Sequence, residues 1–510
     1  MCGLAVLSGD EAPVLVETMI RRQRHRGPDG TGRIFIGDMQ LGHCRLAIID
    51  PDGGAQPIVT KPDAGAGESA IVANGMIYND GALRELYRAA PWQSGSDSES
   101  ILHAVVRDGP EAIARLDGMF AFAIAEGGRL IAGRDPIGIK PLYLARRRNE
   151  SGNETLLLAS EIKALAGIAD AIEEFPAGHW WTSDGGFRRY YEVPKAAPQK
   201  WRTRDAIAAL RETLEAAVVK RLRSDVPFGC LLSGGLDSSI IAALAARQVP
   251  SLKTFAVGLP GSPDLTAARA VASHLGTDHH ELVLTPEEIV QALPDILYHL
   301  ESFDRDLVRS AVPCWFVARF AAQHVKVVLT GEGADELFAG YRYYRDIDDP
   351  DALHDELVRS IGAMHNINLQ RVDRMAMAHG LEARVPYLDT AMIALGLSLP
   401  VEDKLRPRGR RRIEKWLLRR AFEDLLPAEI VWRDKAQFDE GSGLAAHLER
   451  LAARQEPERR NGGDAGRSAE EAWYRALLAA RFENPDPVLG LVAHWNTRSD
   501  ASPAAGARPH

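Results

Sequence analysis

A serine- and glycine-rich loop, Ser233-Gly-Gly-Leu-Asp-Ser-Ser239, follows an apolar run and precedes a stretch of isoleucine, alanine and leucine. This order predicts a strand, a tight turn and the first turn of a helix. Glycines let backbone N–H groups converge on an anion, a helix N-terminus adds positive potential, and serine hydroxyls donate hydrogen bonds. Asp237 would repel a phosphate unless a divalent cation lay between them, so the loop indicates a nucleotide bound with Mg²⁺.

A second acidic turn, Gly331-Glu-Gly-Ala-Asp-Glu336, follows another predicted strand at 325–330. Ligands of parallel sheets bind at the carboxyl ends of the strands, so Asp237 and Asp335 would share a magnesium ion if the two strands are neighbours. An aspartate alone in such a turn is usually a helix cap, but the strand, the glycines and Glu332 together favour a functional site. No GxxxxGK[ST] motif occurs, which excludes a P-loop enzyme that transfers a γ-phosphoryl group.

Cys2 is the candidate nucleophile of the first half of the chain. Removal of Met1, which is common before a small residue, would give Cys2 a free α-amine with a pKa of about 7.7–8.0. Such an amine can act as general base for the neighbouring thiol. A cysteine at the second position usually has no function, but four polar turns accompany this one. Their arginine, aspartate and Asn-Gly groups could hold the charges of a small zwitterionic substrate, and they lie at 26–30, 42–46, 74–79 and 95–99.

The elements that must position these residues change in character along the chain. Up to residue 192, short β-type runs alternate with a few helical patterns, which predicts an α+β sandwich. From residue 203, helices separate short strands, which predicts an α/β doubly wound parallel sheet. The segment between them contains two prolines and no periodicity, so we expect a linker. The predicted divisions are 1–192, the linker 193–202, 203–452, and a C-terminal helical segment with a flexible tail at 453–510.

Composition restricts the class of protein further. A length of 510 residues favours two domains, and a net charge of −9 argues against a nucleic-acid partner. The sequence contains no run of 18 apolar residues and no secretion signal, so we expect no membrane partner and a cytoplasmic location. The four cysteines include no CxxC pair, which disfavours a disulfide framework or a zinc site. No feature distinguishes a monomer from a homodimer.

The polar turns of the first half, with the segments at 133–143 and 159–165, resemble the class II glutamine amidotransferase (glutaminase) domain, an N-terminal-nucleophile hydrolase. The resemblance implies that Cys2 attacks the side-chain amide of glutamine and releases ammonia. Met76 stands where the family usually has glutamate, so we expect weaker glutamine binding without loss of activity. The remaining implied glutamine-binding residues are Arg45, Leu46, Ala47, Ile48 and Ile49 for the α-carboxylate and backbone, Asn74 and Gly75 for the oxyanion, and Asp97 for the α-ammonium.

The loop at 233–239 resembles the signature of the ATP pyrophosphatase superfamily, whose members cleave ATP between the α- and β-phosphates and adenylate their substrate. Four further segments, at 254–265, 330–341, 380–389 and 432–438, extend the likeness. Because several motifs occur in the same order, nearly the whole chain resembles the glutamine-hydrolysing asparagine synthetases.

This second resemblance implies roles for the two acidic turns. Asp237 and Asp335 would bind Mg²⁺, and Glu332 would act at the β-aspartyl-adenylate step, where a carboxylate can take a proton from the attacking ammonia. The residues implied in ATP binding are Leu231, Ser233, Gly234, Gly235, Leu236, Asp237, Ser238, Ser239, Val257, Thr330, Gly331 and Lys435.

The segment 301–310 lies where the comparable bacterial synthetases carry a Thr-Thr-Ile-Arg run linked to substrate aspartate. Arg309 is retained, and we expect it to bind a carboxylate of the acceptor. Asp306 and Leu307 replace the two threonines, and a negative charge beside an anionic substrate is unfavourable unless a cation such as Arg305 offsets it. The acceptor is therefore expected to be aspartate or a related carboxylate.

The implied function is an ATP-dependent amidotransferase that makes L-asparagine from L-aspartate and glutamine, with release of AMP and pyrophosphate. Three alternatives remain open. The same machinery could amidate a different carboxylate in a biosynthetic pathway. A β-lactam-synthetase-like cyclase is less favoured, because an internal amine needs no ammonia and Cys2 is intact. A non-catalytic sensor is disfavoured because Cys2, Asp237, Glu332 and Asp335 are all present.

Overall fold

Strands dominate the first part of the chain because short runs of apolar residues, many of them β-branched or aromatic, recur there between turn residues. In the computed structural model they form two antiparallel six-stranded sheets whose inner faces pack together. The predicted α+β sandwich is confirmed. The structure describes residues 2–9, 13–60, 67–148, 152, 154–408, 411–434, 448–452 and 468–494.

The first sheet places the N-terminal strand between two neighbours, and the second sheet covers it. In spatial order the first sheet consists of β10 (Ala171–Glu174), β8 (Tyr143–Arg148), β9 (Glu154–Ala159), β1 (Cys2–Ser8), β3 (Met39–Arg45) and β2 (Gly30–Ile36). The second consists of β12 (Gly186–Arg189), β11 (His179–Thr182), β7 (Arg129–Arg134), β6 (Gly118–Glu126), β5 (Ser69–Ile77) and β4 (Ile58–Thr60).

Strand β6 shows how the sequence builds these layers. Ala121, Ala123 and Ala125 point into the cluster between the sheets, where small side chains allow close approach. Phe120 and Phe122 point to the opposite face and pack against the helix Glu99–Asp108 and its neighbours. The helices of this part are Val14–Arg22, Asp80–Leu86, Glu99–Asp108 and Ile162–Leu165, with short 3₁₀ helices at Arg24–Arg26 and Pro110–Arg115.

The second part of the chain contains a five-stranded sheet whose pairings are all parallel. Helices connect its strands, which confirms the predicted doubly wound α/β architecture. The strand order is β15 (Asp278–Val283), β14 (Lys253–Gly258), β13 (Phe228–Leu231), β16 (Val327–Leu329) and β17 (Glu382–Arg384), and a separate hairpin joins β18 (Arg406–Arg408) to β19 (Arg411–Ile413).

Helices surround this parallel sheet and extend to the C-terminal part of the chain. Among the described residues, none of them combines the length and apolar character that crossing a membrane would require. The longer ones are Thr203–Lys220, Leu236–Ala246, Pro263–Leu275, Pro286–Leu300, Arg305–Ala321, Pro350–Gly362, Asn368–Met377, Thr390–Ser398 and Ala469–Ala479. The shorter ones are Ala334–Leu337, Val401–Lys404, Trp416–Ala421, Ala428–Val431 and Asp486–Leu489, with 3₁₀ helices at Arg342–Asp346, Met364–Asn366 and Pro386–Leu388.

The two parts of the chain meet across a buried cluster of charged side chains. Lys163 Nζ lies 3.1 Å from Glu301 Oε1, and Arg374 Nη2 lies 2.9 Å from Glu301 Oε2. Buried charges are tolerated only when they are paired, and each of these is. The cluster comprises Arg26, Glu161 and Lys163 from the first part and Glu301, Asp373 and Arg374 from the second, and it fixes the two parts relative to one another.

Candidate functional site

Cys2 begins the buried strand β1, and its side chain is enclosed by the sandwich. The main-chain nitrogen of Cys2 donates to Asn74 Oδ1 at 3.0 Å, which brings the candidate nucleophile to the candidate oxyanion donor on β5. Asn74 is fully buried, and its Nδ2 has no hydrogen-bond partner among the described residues. An amide donor without a partner beside a nucleophile is suited to hold a developing oxyanion.

His43 is a residue of this site to which the sequence analysis gave no role. In the antiparallel pair of β1 and β3, Cys2 faces Arg45 and Leu4 faces His43, so His43 is a diagonal neighbour of Cys2 on one face. Burial of the Cys2 thiol would raise its pKa, but His43, the neighbouring N-terminal ammonium and a hydrogen bond from the Leu46 main chain together outweigh this effect and lower the pKa of Cys2 to about 6. The thiolate, which is the nucleophilic form, therefore predominates at neutral pH.

Two of the expected glutamine-binding residues are held by backbone contacts. The Arg45 guanidinium donates to the carbonyl oxygens of Asp50 at 2.6 Å and Pro51 at 2.8 Å, so it shapes the loop that follows β3. Asp97 accepts from the Ile77 N–H at 2.7 Å, and burial raises the pKa of its carboxyl to about 6. An ammonium beside Asp97 would favour its ionised form.

Met76 lies in an apolar cluster with three of the residues expected to bind the glutamine backbone. These buried residues are Leu46, Ile48 and Ile49, and the same cluster continues to Leu232, which precedes the loop at 233–239, here called the phosphate loop. The main chain of Gly75 passes so close to β6 that a Cβ would lie 2.2 Å from the Met119 carbonyl oxygen. Ala47 is also buried, and its N–H donates to Asp29 Oδ2 at 2.7 Å.

A cavity of about 430 Å³ opens at the carboxyl ends of β13, β14 and β16. Residues from both acidic turns and from the adjacent strands line it. The sequence-predicted residues in its wall are Leu231, Ser233, Gly235, Leu236, Asp237, Ser238, Val257, Asp306, Thr330, Gly331, Glu332 and Asp335.

The phosphate loop and the second acidic turn pack directly on each other. A Cβ on Gly331 would lie 2.8 Å from the Ser238 main-chain nitrogen, so glycine is required for this approach. Gly234 adopts a left-handed φ of 71° and packs on the main chain of Ala268, outside the cavity wall. The Ser239 hydroxyl is also turned inward and donates to the Gly235 carbonyl oxygen at 2.6 Å.

Lys415 joins Asp237 to Asp335, which the sequence analysis did not foresee. Its Nζ lies 2.5 Å from Asp237 Oδ2 and 2.5 Å from Asp335 Oδ1. Burial would lower the pKa of Lys415, but the two carboxylates raise it above its usual range. Two carboxylates that converge on one cation at a cavity wall also fit the oxygen ligands that a divalent metal ion requires.

The expected acceptor residues are placed in different surroundings. Asp306 lines the cavity and is paired with Arg305, whose Nε lies 2.9 Å from Asp306 Oδ1, so its charge is offset. Arg309 is not among the residues that line the cavity, and its guanidinium is bound by Glu470 at 3.0 and 2.5 Å. Lys435, expected to contact ATP, lies outside the described residues.

Arg371 is the cationic side chain that contacts Glu332. Its Nη2 donates to Glu332 Oε2 at 2.5 Å, and both residues line the cavity. Burial would lower the pKa of Arg371, but the Glu332 carboxylate, with Cys314 and Tyr341, outweighs this effect and raises it. No local sequence pattern predicts this ion pair, because Arg371 lies on the helix Asn368–Met377 and Glu332 lies in the acidic turn 39 residues earlier.

Comparison with known proteins covers both parts of the chain. A family model described as a glutamine amidotransferase domain matches residues 1–186, and one described as asparagine synthase matches residues 209–350 and 345–487. Asparagine synthetase B [glutamine-hydrolyzing] of Escherichia coli K12 is 42% identical over 85% of this chain and 81% of its own length. Asparagine synthetase [glutamine-hydrolyzing] 2 of Arabidopsis thaliana is 41% identical over 87% and 80%, and a probable asparagine synthetase [glutamine-hydrolyzing] of Schizosaccharomyces pombe is 38% identical over 94% and 93%.

Proposed function

Because the chain belongs to the family of glutamine-hydrolysing asparagine synthetases, we propose that it makes L-asparagine from L-aspartate, ATP and glutamine. One observation carries this proposal: a single chain holds both a buried thiol of lowered pKa beside Asn74 and a cavity lined by Asp237, Asp335 and Glu332. A thiol site that releases ammonia and a nucleotide site that activates a carboxylate together make an amide.

The first half-reaction takes place at Cys2. The thiolate attacks the side-chain carbonyl carbon of glutamine, and the Asn74 amide and the Gly75 N–H would stabilise the oxyanion that forms. The C–N bond then breaks, ammonia leaves, and water hydrolyses the thioester to glutamate. Once Met1 is removed, the Cys2 amine can transfer the protons of these steps. Asp97 and Arg45 would hold the α-ammonium and α-carboxylate of glutamine.

The second half-reaction takes place in the cavity between the two acidic turns. The β-carboxylate of aspartate attacks the α-phosphorus of ATP, and pyrophosphate leaves. Ammonia then attacks the acyl-adenylate, and AMP leaves. Backbone N–H groups and serines of the loop at 233–239 would bind the phosphates, and Glu332 would accept a proton from the attacking ammonia.

Mg²⁺ is part of the proposal, and the two converging carboxylates of Asp237 and Asp335 would hold it. When bound, it would neutralise negative charge on the triphosphate. Uncharged ammonia would pass through the interior along the apolar cluster that joins Met76 to Leu232. We expect the reaction to take place in the cytoplasm. Both sites lie within one chain, so the proposal is compatible with a homodimer.

The test is pyrophosphate release by the purified full-length protein with ATP, Mg²⁺ and glutamine, with and without L-aspartate. Aspartate-dependent release with an equal amount of glutamate formed supports the proposal. Release that depends instead on another carboxylic acid would replace aspartate as the acceptor. Cys2→Ala should keep synthesis with ammonium chloride and lose it with glutamine, whereas a non-catalytic sensor would show neither activity.

A further inference from the structure

The acceptor in the proposed reaction has two carboxylates, and only one of them is adenylated. The other must be held while the reaction proceeds, and a guanidinium is the side chain best suited to bind a carboxylate through two hydrogen bonds. This inference rests on the proposed function, and it concerns which cation of the cavity performs this task.

Four cationic side chains line the cavity within the described part of the chain. Lys415 is shared by Asp237 and Asp335. Arg419 binds Glu414 Oε1 at 2.7 Å and main-chain carbonyls, so its donors are committed to the local fold. Arg433 binds Asp264 at 2.8 Å, on the side of the cavity formed by the helix Pro263–Leu275. Three of the four cations are therefore engaged by groups that take no part in holding an acceptor.

Arg371 differs from these three in its partner. It is paired with Glu332, the carboxylate proposed to act on ammonia, and its buried Nε has no hydrogen-bond partner among the described residues. Its helix, Asn368–Met377, packs beside the helix Arg305–Ala321, which contributes Asp306, Ser310 and Cys314 to the same wall. A guanidinium with an unused donor thus lies next to the residue at which the chemistry is proposed.

Arg309, the candidate expected from the sequence, is occupied elsewhere. Its Nε and Nη2 both donate to Glu470, and the Tyr474 hydroxyl donates to Glu470 Oε1 at 2.6 Å. Glu470 is buried, so releasing Arg309 would leave an unpaired carboxylate in the protein interior. The pair fixes the helix Ala469–Ala479 to the helix Arg305–Ala321.

We propose that Arg371 binds the carboxylate of the acceptor that is not adenylated, and that Glu332 occupies this position when no acceptor is present. Binding exchanges one ion pair for another, because the substrate carboxylate replaces Glu332 on the guanidinium. Glu332 is then free to accept a proton from ammonia. The acceptor thereby activates the base that its own amidation requires.

The experiment is calorimetric titration of L-aspartate into the full-length protein with Mg²⁺ and a non-hydrolysable ATP analogue. Arg371→Met should raise the Kd for aspartate by about 100-fold, since two charge-assisted hydrogen bonds are lost. Arg371→Lys should recover part of the affinity. Glu332→Gln should lower the Kd several-fold, because the competing carboxylate is removed. Arg420→Met, which removes an exposed pair with Glu423 outside the cavity wall, is the control and should change the Kd by less than about twofold.

Opposite shifts for Arg371→Met and Glu332→Gln are the signature of competition for one guanidinium, and a purely structural role would not produce them. Wild-type affinity in Arg371→Met, or weaker binding in Glu332→Gln, would overturn the inference. Glutamine hydrolysis at Cys2 reports whether each variant is folded. If Arg371→Met does not fold, the Kd values of Arg371→Lys and Glu332→Gln test the inference. If the wild-type enzyme releases pyrophosphate only with another carboxylic acid, the proposed acceptor fails, and the same titrations with that acid still test Arg371.

Discussion

Arg26 and Asp373 form a buried bidentate ion pair between the two parts of the chain, with Nη1–Oδ2 and Nη2–Oδ1 distances of 2.8 and 3.2 Å. Arg26 Nε also donates to the carbonyl oxygen of Cys2 at 3.0 Å. Asp373 lies on the helix Asn368–Met377, which also carries Arg371. This pair therefore ties the main chain of the nucleophile to the helix that contacts Glu332.

Asp373→Asn should destabilise the protein by roughly 3 kcal/mol, because it leaves the buried Arg26 with less compensating charge. Glu161, which lies 2.8 Å from Arg26, limits the loss. The measurement is the midpoint of urea unfolding at neutral pH. Glu192→Gln, which removes an exposed pair with Lys195, is the control and should leave the midpoint unchanged. Equal shifts in the two variants would contradict a stabilising role for the buried pair.

His43→Gln should raise the pKa of the Cys2 thiol towards its usual value of about 8.5, since it removes the largest of the contributions that lower this pKa. Below its pKa the thiol is protonated and unreactive. The rate of wild-type alkylation by iodoacetamide should therefore rise around pH 6, which is the pKa of Cys2, and the rate for the variant should rise only above pH 7. Cys2→Ala provides the background. Burial raises the pKa of Cys44 to about 12, so that thiol stays protonated throughout. Identical midpoints in the two proteins would exclude His43 as the cause.

Asn74→Leu should reduce kcat for glutamine hydrolysis by about 10²–10³, the usual loss when one oxyanion donor is removed. The effect on KM should be smaller, because the unpartnered Nδ2 is aimed at a charge that develops only during the reaction. Pyrophosphate release with ammonium chloride serves as the internal control and should be unchanged. A rise in KM at constant kcat would instead indicate that Asn74 binds the ground state of glutamine.

Local patterns were sufficient to predict both fold classes and the turns that carry the sites. The loop Ser233–Ser239 and the turn at 331–336 are each encoded by glycines directly after a strand, and the structure packs them together through Gly331. Boundaries were less accurate. The sequence pattern at 98–116 is that of one continuous helix, but Gly109 has a φ of 80°, so the helix ends at Asp108 and a 3₁₀ helix follows.

Pairings between distant residues could not be predicted from local patterns. Lys415 pairs with Asp237, which lies 178 residues away in the sequence, and Glu470 pairs with Arg309, which lies 161 residues away. Arg371 meets Glu332 only because their helix and turn are packed together by the rest of the fold. A local motif predicts which residue types a site contains. The residue that neutralises each of their charges is set by tertiary packing, and a local motif does not predict it.

Asp237→Asn should raise the Mg²⁺ concentration for half-maximal pyrophosphate release by about tenfold or more, because one of the two proposed ligands loses its charge. Lys415→Met should lower that concentration, since the ammonium that now lies 2.5 Å from both carboxylates would no longer compete with the ion. The two variants are measured in the same magnesium titration, with kcat recorded separately because Lys415 also faces the nucleotide cavity. Glutamine hydrolysis at Cys2 should be magnesium-independent in both. Shifts of the same sign would show that Lys415 supports the metal site rather than occupying it, and no shift in Asp237→Asn would place the ion elsewhere.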